Sequence, residues 1–304
     1  MTALEDKLSN YKNPSSDNEK DKQDRAERMV RQALAGWPGF KDISLRILPK
    51  GSYTNNTNVR QDSDVDIAVI HEGFNYFKAS ALKEADRPKG GDVTIPHLGE
   101  GQLRAELERC LRAKFGSECD TTGKTAITIS EGSTRVSADV VPSFEHRLYY
   151  YDSWGWVRYH EGTTTRRTDG TWVINYPEQQ HKNGITKNNR TSKRYKYLVR
   201  ILKRIENDLV DAGKIKELPS YFMECLVYCV PNSKFGTGLF PTFTRDLKNV
   251  LTHIYNGTGG DGDAASWYEP NGIKELFGPE QKWTMEDAHS LAQEAWSLLM
   301  LKDA

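Results

Sequence analysis

At about 150 residues per domain, a chain of 304 residues makes one large domain or two lobes, and either buries a real core. Its 42 Lys and Arg balance 42 Asp and Glu, which argues against a protein that coats nucleic acid through a basic excess. With 28% charged and 10% aromatic residues, and no run near the roughly 18 apolar residues of a membrane helix, the composition excludes a membrane span and a disordered chain.

Residues 1 to 23 are polar, break at Asn13-Pro14-Ser15-Ser16, and lack the apolar stretch of a secretory signal, so none is expected. From Gln23 towards Gly36, Ala26, Met29, Val30 and Leu34 share one helical face. Ile43, Leu45 and Ile47 alternate with polar neighbours as in a strand, and Val65 to Ile70 makes a second. Phe74 to Pro96 reads as a connection around Pro88-Lys89-Gly90-Gly91, and Leu103, Leu107, Cys110, Leu111 and Phe115 recur at helical spacing. Ala126 to Ser130 and Thr134 to Val141 form a hairpin through Glu131-Gly132-Ser133. Three aromatic strands follow, at Arg147 to Tyr151, Trp156 to Tyr159 and Trp172 to Asn175.

Past Pro177 the pattern is helical, over about 188–212, 219–230, 242–255 and 284–302. Pro219 suits a helix start, and Thr284 with Asp287 suits a cap. Asn256 to Ala264, with Gly257, Gly259, Gly260 and Gly262, reads as a mobile loop. Cys110, Cys119, Cys225 and Cys229 show no zinc spacing and read as reduced core thiols of a cytosolic protein. The expected organisation is an α/β lobe over 1–180 and a helical lobe over 181–304, with the active site in the cleft.

Asp64 and Asp66 stand two apart, so on a strand their carboxylates share one face. The alternative is a solvated strand end. Buried among Val65, Ile67 and Val69, such acids are costly unless paired, and they repel each other unless a cation sits between them. Hard oxygen ligands suit Mg²⁺ together with substrate phosphates. Gly51-Ser52 follows the first strand, twelve residues before Asp64. A glycine there lets the backbone approach a ligand, and serine and loop N–H groups can hold phosphate oxygens. Asp139, within Arg135 to Pro142, is a third acid in an apolar strand. If that strand lies beside the first, three carboxylates and two cations make the arrangement for in-line phosphoryl transfer, with Asp139 helping to take the hydroxyl proton.

Lys182 to Arg204 holds nine basic residues and no acidic one. Lys193, Lys196, Arg200 and Lys203 step along one helix face, opposite Leu198, Ile201, Leu202, Ile205 and Leu209. Such a face either meets a triphosphate or is simply solvated. Tyr228 and Tyr53 either stack on a base or belong to the core. Thr122-Gly123-Lys124-Thr125 lacks the upstream glycine of a phosphate loop and reads as a turn, and the seven histidines show no metal spacing.

Together these elements resemble the DNA polymerase β-like nucleotidyltransferase superfamily: strand, Gly-Ser, loop, Asp-x-Asp, and a third Asp on a later strand. Gly51 to Ile70 with Ala138-Asp139-Val140-Val141-Pro142 is similar to the bacterial CD-NTases, the cGAS- and DncV-like enzymes of CBASS anti-phage systems, most of all clade E. The likeness continues through Asn175-Tyr176-Pro177 and Tyr195 to Arg204. The resemblance implies an α+β fold: a polymerase β-like nucleotidyltransferase lobe, a mixed sheet with flanking helices, plus a C-terminal helical lobe. It implies that Asp64, Asp66 and Asp139 are catalytic and hold two Mg²⁺ (or Mn²⁺). Gly51, Ser52, Lys203 and Lys196 would meet the donor triphosphate, Asn175 would favour uracil, and Tyr228 would contact a base. Two ribonucleoside triphosphates, ATP and UTP among them, would condense into a cyclic dinucleotide second messenger that acts on a separate effector. The implied enzyme is a cytoplasmic monomer with no membrane or long nucleic-acid partner. Two other readings stay open: a template-free nucleotidyltransferase modifying RNA, protein or a small molecule, and a non-catalytic nucleotide-binding sensor.

Overall fold

The computed structural model describes residues 2–14, 17–59, 64–90 and 95–301. Ser15-Ser16 of the expected break, Gly91 of the expected connection and Arg60 to Ser63 of the motif loop lie outside the described residues. The chain divides into two compact units, each assembled from separate stretches. One holds Ser16–Tyr53 and Gln61–Pro177; the other holds Met1–Ser15, Thr54–Arg60 and Glu178–Ala304.

The chain opens with helix α1 (Ala3–Tyr11), which belongs to the second unit. The sheet unit then runs through α2 (Asp17–Ala35), β1 (Leu45–Lys50), the single turn α3 (Gly51–Thr54), β2 (Val65–Lys78) and α4 (Glu100–Phe115). It continues with β3 (Cys119–Asp120), β4 (Ile127–Ile129), β5 (Ala138–Tyr151), β6 (Val157–Arg166) and β7 (Trp172–Asn175). The described strands form one mixed sheet in the order β1-β2-β5-β4-β3, with β6 paired to β5 and β7 to β6. β2 and β5 run parallel, and the other pairings are antiparallel.

Alternation decides which face is core. Val65, Ile67, Val69, Ala138, Val140, Ile127 and Ile129 point to the side covered by α2 and α4, where they meet Ala26, Val30, Leu34, Leu103, Leu107 and Leu111. Several boundaries differ from the sequence reading. β2 continues to Lys78 and β6 to Arg166, while Ala138–Val141 of the run read from Thr134 and the run Arg147–Tyr151 are parts of one strand, β5. Its first half pairs with β4 and its second half with β6, so its apolar pattern changes midway and imitates two strands.

The helical unit comprises α1, α5 (Pro177–Arg190), α6 (Arg194–Asp211), α7 (Ser220–Cys229), α8 (Phe243–Thr258) and α9 (Met285–Leu298). α6 buries Leu198, Ile201, Leu202, Ile205 and Leu209 against Phe222, Leu226, Leu247, Leu251 and Leu291, and α1 adds Leu8. Thr284 and Asp287 make the expected reciprocal cap on α9.

The helix read over 188–212 is two helices. The break falls at Ser192 and Lys193, both left-handed at φ 49° and 69°, so Lys193 lies outside the basic face assigned to it. The loop read from Asn256 begins later, because α8 runs to Thr258. A Cβ on Gly257 would lie 2.3 Å from the Trp267 ring, and one on Gly262 would lie 2.0 Å from the Gly257 carbonyl oxygen. Close packing, as well as loop geometry, therefore accounts for these glycines. The four cysteines are free, and Cys110, Cys119 and Cys225 are buried. Among the described residues no helix is long and apolar enough to cross a membrane.

Candidate active site

The polar face of the sheet carries the acids. Asp66 and Asp139 are Cα partners on the parallel strands β2 and β5. Lys50 faces Asp66 from β1, and Thr128 faces Asp139 from β4. One row, Lys50–Asp66–Asp139–Thr128, thus crosses four adjacent strands. Asp64 lies just before β2, and the Ser137 hydroxyl, just before β5, donates to its Oδ1. Asp64 and Ser137 therefore form the next row. Thr128 Oγ1 donates to Asp139 Oδ1 at 2.6 Å, which fixes that carboxylate's rotamer.

The same strands place Val65 and Ala138 on the buried side, so the acids are held by residues that cannot shift without opening the core. Carboxylates in one row on neighbouring strands, about 5 Å apart at Cα, repel each other, a cost that Lys50 and the two hydroxyls reduce.

Gly51 joins this group through its backbone. It sits at φ +76°, and a Cβ there would stand 2.0 Å from Asp66 Oδ2. No other residue satisfies both demands. Ser52 follows in the turn α3. Tyr53 donates its hydroxyl to Asp24 of α2 and packs against the sheet core, which makes it structural rather than a stacking surface. Asp120 Oδ1 accepts from the Thr122 N–H and hydroxyl, each at 2.8 Å, so the stretch that imitates a phosphate loop is a turn.

The donor set is hard oxygen. Mg²⁺ takes such ligands, one or two carboxylates completed by substrate phosphates and water. Among the described residues no group of three His, Cys, Asp or Glu side chains is gathered closely enough to hold a metal ion by itself.

Asn175 ends β7 opposite Thr163 of β6. Its carbonyl oxygen lies so close to β6 that a Cβ on Gly162 would stand 2.7 Å away, so Gly162 sets where Asn175 sits.

In the helical unit the basic segment is solvated only in part: Lys182, Arg190 and Lys193 are exposed, and the rest are half-buried or buried. Arg200 and Lys203 are 2% and 3% exposed. Arg200 donates to the carbonyls of Lys12 and Asn56, and Arg204 to those of Tyr11 and Val59. Arg200 and Arg204 thus fasten Asn56, Val59 and the end of α1. Lys196 is partly buried, and desolvation, partly countered by Glu224, lowers its pKa. Tyr228 is half-buried, with Tyr195 edge-on at 6.0 Å and the Lys187 ammonium 5.2 Å from its ring centre. Lys187 is itself buried, donates to Val230 O at 2.7 Å, and is pushed down to about 8 by desolvation.

Several neighbours of these residues escape the sequence reading. Thr128 sits between Ile127 and Ile129, so the hairpin register alone points it at Asp139. Glu224 lies within Phe222-Met223-Glu224-Cys225-Leu226-Val227, an acid in an apolar run just as Asp139 is. It is 3% exposed and accepts from Asn55, Thr57 and Gln180.

Comparison with known proteins gives the family. Residues 182–300 match the cGAS/DncV-like nucleotidyltransferase C-terminal helical domain. The cyclic dipyrimidine nucleotide synthase CdnE of Legionella pneumophila is 36% identical over 95% of each chain. A cyclic dipurine nucleotide synthase of Elizabethkingia meningoseptica is 34% identical over 98% of this chain and 99% of its own. The solved structure of the Rhodothermus marinus CdnE c-UMP-AMP synthase with Apcpp and Upnpp superposes with a TM-score of 0.80 at 28% identity, covering 97% of this chain and 96% of that one. Because the likeness spans almost the whole of each chain, sheet unit and helical unit alike, the chain belongs to the cGAS/DncV-like nucleotidyltransferases, among the CdnE cyclic dinucleotide synthases.

Proposed function

We propose that this chain condenses two ribonucleoside triphosphates into a cyclic dinucleotide with at least one pyrimidine base. The observation that carries the reading is the row of Asp66 and Asp139 on adjacent parallel strands, with Asp64 one step away and Gly51 moulded to Asp66. A sugar hydroxyl of the acceptor attacks the α-phosphorus of the donor, a P–O bond forms, and pyrophosphate leaves. Repeating the step within the linear product closes the ring, so two triphosphates give one cyclic dinucleotide and two pyrophosphates.

Asp139, oriented by Thr128, stands ready to take the hydroxyl proton. Asp64 and Asp66 with Asp139 would hold two Mg²⁺ ions, which neutralise phosphate charge and ease deprotonation of the hydroxyl. Gly51 and Ser52, with Lys196 and Lys203, hold the triphosphate. The Asn175 amide offers one donor and one acceptor, a match for the N3–H and O4 edge of uracil. Tyr228 contributes a base contact. The product serves as a second messenger for a separate effector in anti-phage defence, and the enzyme works as a cytoplasmic monomer.

The test is incubation of the purified chain with all four ribonucleoside triphosphates and Mg²⁺, then phosphatase treatment and mass spectrometry. The expected result is a phosphatase-resistant product with the mass of a pyrimidine-containing cyclic dinucleotide, absent in Asp139→Asn. Products that stay linear, or that contain purines alone, overturn the ring closure or the base assignment respectively.

A further inference from the structure

Residues 54–59 follow Gly51-Ser52 after Tyr53, yet they pack as part of the helical unit. Its attachment is polar and buried. Glu224 Oε1 accepts from Asn55 Nδ2 at 3.2 Å and from Gln180 Nε2 at 3.1 Å, while Oε2 accepts from Thr57 Oγ1 at 2.9 Å. Asn55 Oδ1 is shared with His181 Nδ1 at 3.0 Å, and Arg200 holds the Asn56 carbonyl at 2.6 Å. Asn55, Thr57 and Glu224 are 6%, 0% and 3% exposed. A carboxylate buried in the apolar face of α7 is expensive unless every acceptor is used, and here both oxygens receive donors. For fastening a loop, an apolar contact would serve more simply. What the hydrogen bonds add is direction, since they fix the backbone within three residues of Ser52.

Resting on the reading of Gly51-Ser52 as the triphosphate turn, we infer that Glu224 is the positioning residue of that turn, acting through Asn55 and Thr57. Gly51 continues β1, whose Lys50 pairs with Asp66, and the Glu224 cluster holds the chain from Asn55, three residues beyond Ser52. A turn whose outgoing chain is held has fewer conformations to give up when its N–H groups and hydroxyl meet the triphosphate. Released at one end, it must be ordered by the triphosphate itself, and the loss falls on binding.

The experiment uses the full chain and three variants. Thr57→Val keeps shape and removes one donor, Glu224→Ala removes the hub, and Glu224→Gln keeps an amide oxygen for Asn55 and Gln180. KM and kcat for product formation are measured with ATP and UTP, together with calorimetric affinity for a non-hydrolysable triphosphate analogue and the melting temperature. The expected outcome for Thr57→Val is a rise of about tenfold in KM and in analogue Kd, with kcat within about threefold and a moderate fall in melting temperature from the donor lost to Glu224. Glu224→Gln should recover most of the affinity that Glu224→Ala loses.

Unchanged analogue affinity in Thr57→Val, or a fall in melting temperature with KM at the wild-type value, makes the cluster merely structural and overturns the inference. If the wild type binds the analogue but forms no product, nucleotidyl transfer is the reading that fails, and the affinity comparison still decides the role of Glu224. A wild type that binds no triphosphate overturns both.

Discussion

At the scale of single residues, the row Lys50–Asp66–Asp139–Thr128 is where the proposed chemistry is placed, and its members should differ in how sharply they fail. Asp139→Asn keeps the shape and the Thr128 contact but removes the basic oxygen. Product formation should fall about a thousandfold with circular dichroism unchanged, in line with the loss of a positioned general base. Thr128→Val removes only the hydroxyl that orients Asp139. A decline of about tenfold in kcat is expected from steady-state rates, with KM near the wild-type value. Gly51→Ala demands a side chain where Asp66 Oδ2 already stands, at a φ that alanine avoids. Activity should be lost, and the displacement of Asp66 should appear in a crystal structure of the variant.

At the scale of elements, β5 links the acids to the far edge of the sheet, since Asp139 sits near its start and His146 lies seven residues on. His146 is 3% exposed, and burial, with a smaller effect from Lys78, pushes its imidazole down to about 4 from 6.5. The unfolded chain therefore binds more protons than the folded one between those values. Stability from a neutral His146 is complete above about pH 6.5 and is lost as pH falls towards 4. Urea midpoints at pH 7.5 and pH 5 should diverge more for the wild type than for His146→Leu; equal shifts would clear the histidine of this role. On β6, Gly162→Ala would press against the Asn175 carbonyl and the Tyr176 ring, costing about 1–3 kcal/mol and moving the end of β7. If Asn175 selects the base, the ratio of products made from mixed triphosphates should shift with it.

Elements were legible where period and face coincide. β7, the Thr284 cap and the apolar face of α6 follow from spacing and side-chain chemistry alone. The continuity of β5 was not, because its two halves pair with different neighbours and its burial fades towards the second. Nor was the break at Ser192 and Lys193, where polar residues adopt a conformation usually left to glycine. For the site, the acids stood out as charges in apolar strands. Thr128 and Ser137, which hold them, are ordinary strand residues until the register is known. Glu224 carried the same signal as Asp139, but its partners Asn55 and Thr57 lie 169 and 167 residues away and no local pattern joins them.

At the scale of the whole molecule, the two units are interleaved along the chain, so neither is a continuous piece. α1 belongs to the helical core through Leu8, through Glu5, which accepts from the Phe243 and Thr244 N–H groups, and through Lys7 and Tyr11, which bind Asp208. Removing residues 1–12 would open a cavity at Leu8 and take the Lys12 and Tyr11 carbonyls from Arg200 and Arg204. The shortened chain should unfold at a lower urea concentration, by about 3 kcal/mol or more. A fragment beginning at residue 178 lacks both α1 and segment 54–60, and it should fail to show a cooperative unfolding transition.

The distance between Lys7 and Asp208 also sets a waiting time during synthesis. Their contact spans 201 residues, and at about 5–20 residues per second the ribosome needs roughly 10–40 s to deliver the second partner after the first. Throughout that interval α1 has left the ribosome without the surface that buries Leu8. A nascent chain of this protein therefore passes through a stage at which α1 is open to chaperones and proteases, before α8 and α9 have been made to cover it.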